Sequence, residues 1–224
     1  MAQIISGQVG PSLSSDGVQS MPMRQCKTGE QLVSELHGRF YEQTYRAGMF
    51  SNGITLTALA ANCISLGAGG TPILGVYNPG TSSVNVVVAQ ASIRCMINTV
   101  TTPVGAGGFV WASSVGNNAV STGTAAFNRK TLASSGGQAK GMAFVAMTGQ
   151  TNALVVFEAA DFSSPTGLTY GTIANTATQI DFGGVQNFDG SLIVPPGGLL
   201  GLLNTVSTTT MSVMGRLMWE EVPL

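Results

Sequence analysis

Charge is what this sequence has least of. Of 224 residues, nine are Lys or Arg and ten are Asp or Glu, 8% in all, where an average soluble domain carries about 25%. Nine bases offset by ten acids cannot make the broad positive surface that phosphate neutralisation needs, so a nucleic-acid partner is not expected. A single histidine, His37, removes poly-His metal sites and most nucleophile–His triads at once. The three cysteines, Cys26, Cys63 and Cys95, are odd in number and lack C-x-x-C spacing; they read as small buried apolar residues rather than a disulfide framework or a zinc site. The N-terminus has neither a basic n-region nor a continuous apolar stretch, and no run approaches the ~18 apolar residues of a membrane-spanning helix. The nearest, 192–203, is broken by Pro195-Pro196 and Gly197-Gly198. N-x-S/T is also missing. Together these absences predict synthesis in a reducing cytoplasm, with no membrane partner.

What is present is apolar and flexible: 44% hydrophobic residues and 30 glycines. That is ample material for a core and excludes disorder driven by charge. A free monomer is kept soluble by interspersed charges at roughly 25–35% of surface positions, a density this chain cannot reach. Either Ser, Thr, Asn and Gln do the work, or neighbouring subunits cover much of the surface, which favours a permanent assembly over a free catalyst.

The charges are also unevenly placed. Seven of them (Arg24, Lys27, Glu30, Glu35, Arg39, Glu42 and Arg46) fall between 24 and 46, and eleven are spread over 51–224. Residues 1–23, rich in Gly, Ser and Gln with Pro11 and Pro22, show no sustained period and read as an extended arm. In 24–50, Thr28 with Gln31 resembles a capping box, and Glu35/Arg39 and Glu42/Arg46 have helical i,i+4 spacing. Gly38 and the run of Phe40, Tyr41, Thr44 and Tyr45 oppose a helix. The expectation is an extended arm leading into a first strand, with a short helix as the alternative.

From 51 onward the pattern is β. Val87, Ala89, Ala91, Ile93, Cys95 and Ile97 alternate with Gln90, Ser92 and Arg94, which predicts a strand buried on one face. Near the C-terminus, Met211, Val213, Leu217 and Trp219 oppose Thr210, Ser212, Arg216 and Glu220 in the same way. Apolar runs at 54–58, 73–77, 109–113, 142–147, 153–158, 178–182, 191–194 and 199–203 are separated by turn signals. These include Asn78-Pro79-Gly80, Ser135-Gly136-Gly137, Gly183-Gly184 and Pro195-Pro196-Gly197-Gly198. Eight or more short strands without a convincing amphipathic helix predict an all-β fold, an antiparallel β-sandwich of jelly-roll type over 51–224, preceded by an arm and charged segment over 1–50.

Motifs for chemistry are weak. His37 has no nucleophile elbow nearby and reads as a packing or interface residue. Asp181-Phe182-Gly183 lacks the other kinase elements and reads as a strand ending in a glycine turn. The sequences at 67–70 and 105–108, both GAGG, lack the phosphate-loop lysine. Glu158 and Asp161 form a candidate carboxylate pair, with Trp111 as an aromatic platform for a sugar, but structural roles are the plainer reading. Met211, Met214 and Met218 suit adaptable packing. No catalytic residue, cofactor or metal site is expected.

Two stretches carry a resemblance. Val33 to Arg46, VSELHGRFYEQTYR, followed by Met49-Phe50, and Leu192-Ile193-Val194-Pro195-Pro196-Gly197-Gly198, leading through a Ser/Thr-rich hairpin at 204–210 to Trp219-Glu220-Glu221-Val222-Pro223, resemble segments of small jelly-roll virion proteins of tailed bacteriophages. The resemblance covers about 20 residues at one end and about 30 at the other. It implies a non-enzymatic capsid decoration (cement) protein, a homotrimer in the virion that binds the major capsid protein or another virion protein. The arm would add to a neighbour's sheet or lie across a joint, and strand addition needs main-chain hydrogen bonds but no charge. The residues expected to make contact are Arg24, Lys27, Glu35, His37, Arg39, Tyr41, Glu42, Tyr45 and Arg46. The alternatives are a tail or fibre module that binds a host glycan around Trp111, Glu158 and Asp161, or a shell-forming jelly-roll capsid protein; a glycan hydrolase is the most distant.

Overall fold

The computed structural model describes residues 39–58, 71–97, 108–117, 123, 126–134, 136–143, 151–160, 162, 180–205 and 211–224. The chain divides into two compact units, Met1–Glu42 and Gln43–Leu224. Within the first, the Arg39 guanidinium lies 5.3 Å from the centroid of the Phe40 ring. The second holds the β strands of the described residues.

After one helical turn, α1 (Tyr41–Tyr45), come ten strands: β1 (Met49–Ala58), β2 (Leu74–Tyr77), β3 (Val84–Ile97), β4 (Phe109–Ser114), β5 (Phe127–Asn128), β6 (Lys140–Met142), β7 (Val155–Ala159), β8 (Ile180–Val194), β9 (Leu199–Asn204) and β10 (Met211–Pro223). They form two five-stranded sheets ordered β5-β1-β10-β3-β8 and β6-β2-β9-β4-β7, with every pairing antiparallel. Setting aside the very short β5 and β6, the remaining eight strands pair first with last and then inward in nested fashion across alternating sheets. That is the double Greek key of a jelly roll, as the β pattern predicted. β5 and β6 extend one edge of each sheet on the same side.

Between the sheets lies one large apolar cluster that includes Trp111, Trp219, Leu74, Ile93, Leu200 and Leu202. A second cluster, with Tyr77, Ala112, Met142, Leu154, Leu199 and Leu203, packs on the other face of the second sheet. β9 is therefore buried along its whole length on both faces, which is why 199–203 reads as a continuous apolar run and does not alternate.

The structure corrects several expectations. Ala91, Ile93 and Cys95 point into the core as the alternation predicts, but further along the strand it is Val86 and Val88 that are buried, while Val87 turns away. The cause is a β-bulge: Gln90 pairs with Met218 and Val88 with Trp219, leaving Ala89 as the extra residue. One inserted residue inverts a period of two. Gly183-Gly184 is not a turn, because it pairs with Arg94 and Ile93 inside β8; a Cβ at Gly183 would collide with the Ile93 carbonyl, so glycine here permits close approach of two strands. β9 and β10 do not pair as a hairpin either, since they belong to different sheets; residues 206–210 lie outside the described residues.

The short helix, given second place to an extended segment, forms at 41–45. Its end explains why. Gly48 N–H donates to the Gln43 carbonyl and Ala47 N–H to the Thr44 carbonyl, both at 3.0 Å, and Ala47 has φ 61°. This is a Schellman stop with alanine in place of the usual glycine, and it outweighs the strand preference of the aromatics. β1 starts directly after it.

The corner between β8 and β9 is fixed by a buried amide. Asn78 Nδ2 donates to the carbonyls of Val84 (2.8 Å) and Val194 (3.0 Å), and the Asn78 backbone pairs with Gly197 and Gly198. Gly197, at φ 76°, lets the Pro195-Pro196-Gly197-Gly198 turn close. Replacing Asn78 with Ala removes the amide donor from both carbonyls, that of Val84 keeping only the Ser82 hydroxyl at 3.4 Å, and a buried carbonyl left unpaired costs about 1–3 kcal/mol. Asn78→Ala is therefore expected to lose about 2–4 kcal/mol in urea unfolding, whereas loss below 1 kcal/mol would show that the amide does not hold this corner.

Candidate assembly surface

A sandwich has two open sides, where the edge strands of its sheets lie together, and here the two differ in chemistry. On the β5/β6 side, Asn128 organises the turn that follows β5. Its Oδ1 accepts from the backbone N–H groups of Lys130 and Thr131, and its Nδ2 donates to the Ala47 carbonyl at 2.7 Å. Arg129 N–H donates to the Met49 carbonyl. Glu221, reaching from β10, accepts from the N–H groups of Gln138 (2.8 Å) and Ala139 (2.9 Å) and so fastens the start of β6. Three bases, Arg129, Lys130 and Lys140, are thereby placed along this side, with Lys130 Nζ 4.7 Å from the Tyr45 ring centroid. Phe127 and Leu132 are exposed beside them, Leu132 by 79%.

On the β7/β8 side the chemistry is apolar and acidic. All five residues of β7 are exposed, including Val155, Val156 and Phe157, and on β8 so are Val185 and Ile193. Phe157 projects because β7 carries a bulge: Glu158 pairs with Trp111 and Val156 with Ala112, leaving Phe157 unmatched. Together with Val115, Leu192, Ile193 and Pro195 it lines a shallow groove at this edge. Neither β7 nor β8 contains Lys or Arg.

A polar relay closes the same side from within. Trp111 Nε1–H donates to Gln186 Oε1, and Gln186 Nε2 donates to Glu158 Oε1, both at 2.8 Å. Because Trp111 and Glu158 stand on one sheet and Gln186 on the other, the relay ties the edges together. Phe188 packs edge-to-face on Trp111 at 5.4 Å, held inward by a tight excursion at Asp189 and Gly190, both with positive φ.

These positions decide several sequence expectations. Trp111 is fully buried and so offers no platform to a sugar, because the indole is held in the core and its one donor is taken by Gln186. Asp161 lies outside the described residues, as do Arg24, Lys27, Glu35, His37, Cys26 and Cys63. Cys95 is a buried core residue. Of the other expected contact residues, Tyr45 is 60% exposed and stacks under Lys130; Tyr41 and Glu42 are exposed, as is Arg46. Sequence reasoning missed the β7/β8 edge entirely. Among the described residues, no three His, Cys, Asp or Glu side chains converge as metal ligands, and no helix is long and apolar enough to cross a membrane.

Two measurements test the side-chain accounting. Gln186→Leu leaves the Trp111 donor buried without a partner and is expected to cost about 1–3 kcal/mol, while Glu158→Gln, which keeps an acceptor on the exposed end of the relay, should cost less; equal stability of Gln186→Leu and the parent in denaturant would refute the strut. Glu220, beside Gly48 where β1 begins, has its carboxyl raised above the ordinary 4.5 by desolvation on burial. The folded state thus holds this proton more tightly than the unfolded chain, so its contribution to stability is present below pH 4.5 and is lost as pH rises through the folded pKa. Glu220→Gln should melt at or slightly above the parent at pH 7 and show no such advantage near pH 4; a lower melting temperature at pH 7 would contradict the assignment.

Comparison of the chain with models of protein families, with curated proteins and with solved structures found no match, and the role of this surface is therefore argued from its chemistry.

Proposed function

We propose that the protein is a non-enzymatic structural component of a virus particle, a capsid decoration protein that joins its neighbours and the underlying lattice. The observation that carries this reading is the strand order of a double Greek-key jelly roll, an architecture that viral coat proteins share with lectins and cupins. Fold alone does not choose among those functions. Two further features favour a coat role. The space between the sheets is filled by large side chains such as Trp111, Trp219 and Ile93, where a ligand-binding jelly roll would keep a cavity. The apolar side chains of β7 and β8 are presented outward on a chain with 8% charge, a surface suited to permanent contact. The phage resemblance at 33–50 and 192–223 points the same way.

In this reading residues 1–50 are the assembly element. The charges of Arg24, Lys27, Glu35, Arg39, Glu42 and Arg46, with His37, Tyr41 and Tyr45, set register against a partner; alternating signs of this kind contribute specificity more surely than stability. The partners are the major capsid protein and further copies of this chain, in a homotrimer.

The test is to purify the parent particle on a density gradient and label this protein. It should band with the particle and lie on the outer shell, and a chain lacking residues 1–23 should fold and yet fail to bind stripped particles. Full binding by the shortened chain would remove the arm from the mechanism. Closed shells formed by the purified protein alone would favour a shell-forming role, and label confined to the tail would favour a host-binding one.

A further inference from the structure

We infer that copies of the protein associate head to tail, the β7/β8 side of one copy seating against the β5/β6 side of the next. This rests only on the self-association part of the proposed function and names the surfaces that would carry it. Each side presents apolar side chains to solvent: Val155, Phe157 and Ile193 on one, Phe127 and Leu132 on the other, with Leu132 79% and Val155 65% exposed. Apolar area held in the open on an edge strand is an association site unless charge or proline blocks it. β7 and β8 carry neither proline nor base, and the acids they do carry bear on which partner fits.

Charge selects the occupant. The β7/β8 side bears Glu158 and Asp189, and the β5/β6 side bears Arg129, Lys130 and Lys140. Glu221 on this side and Glu158 on the other each accept hydrogen bonds from neutral amides, the one from Gln138 and Ala139 and the other from Gln186, and both keep their charge, so three bases still outweigh the Glu221 carboxylate. If the β7/β8 side met its own copy across a two-fold axis, acid would face acid; if the β5/β6 side did so, base would face base. Only the heterologous pairing places acid opposite base and apolar opposite apolar. The bulge that leaves Phe157 unmatched spoils β7 as a template for strand addition, so the contact is made by side chains rather than by a continuous intermolecular sheet. Because the two surfaces lie on opposite sides of one sandwich, each copy can engage two others, and the association closes into a ring or runs on as a filament.

Analytical ultracentrifugation of the full chain, with native mass spectrometry, tests this without any particle. The parent protein should sediment as a species larger than a dimer. Val155→Lys/Ile193→Lys places bases opposite bases, and Phe127→Asp/Leu132→Asp places acids opposite acids; all four positions are exposed, so melting temperatures close to the parent's confirm folding. Each variant alone should be monomeric. Mixed in equal amounts, the two retain one intact surface each and should form a 1:1 heterodimer that grows no further, an outcome a two-fold contact cannot give. A parent that is monomeric overturns both this inference and the trimer. A parent that assembles while either variant keeps the parental mass, or a mixture that stays monomeric, overturns the head-to-tail contact and leaves self-association standing.

Discussion

Two sheets laid face to face share a core but not their edges, and everything distinctive in this protein follows from how the two open sides are closed. On each side a buried carboxamide crosses from sheet to sheet. Asn52 of β1 donates to the carbonyls of Gly75 in β2 and Met142 in β6, and Gln186 of β8 joins Trp111 of β4 to Glu158 of β7. An amide suits this position because its NH2 group can donate without a counter-ion, twice at Asn52, and at Gln186 its oxygen accepts as well. A charge-poor chain therefore spans its sandwich with Asn and Gln, where an ion pair would first have to overcome the desolvation of both partners.

With the sides tied from within, the outer surfaces of the edges are left for other uses. The β5/β6 insertion widens both sheets on one side and brings three bases there. On the opposite side β7 and β8 present exposed apolar residues. The asymmetry arises because the insertion adds strands to only one side of the jelly roll, and it gives the molecule two unlike edges.

Most of the fold was legible because burial writes itself into sequence with a fixed period. The runs that became β2, β4, β9 and β10 stand out as apolar stretches between turn residues, and Pro195-Pro196-Gly197-Gly198 marks its corner. What was not legible depends on partners distant in sequence. The bulge at Ala89 is defined by Trp219 and Met218 on β10, so no local pattern announces the change of phase. β8 was divided at Gly183-Gly184 because glycine signals a turn or a close approach equally well, and only β3 decides between them. β5 and β6, two and three residues long, exist as strands only through β1 and β2. The candidate surface was the least legible of all: Val155-Val156-Phe157 has the composition of a core strand, and it is topology that puts it at an edge. For Trp111 the plainer structural reading holds over the sugar platform, because the indole is fully enclosed.

Sparse charge has a consequence for how such a surface stays selective. Apolar contact has no direction, and a chain with bare edges could in principle pair with itself in several ways. A handful of charges suffices to choose among them when they are sorted by side, because like charges placed in opposition cost more than opposite charges gain. In the proposed head-to-tail contact, Glu158 and Asp189 against Arg129, Lys130 and Lys140 would do for association what a densely charged surface does for a monomer. On that proposal 8% of charge is enough, because the few charges would have only to prevent the wrong contacts, while the apolar edges supply the right one.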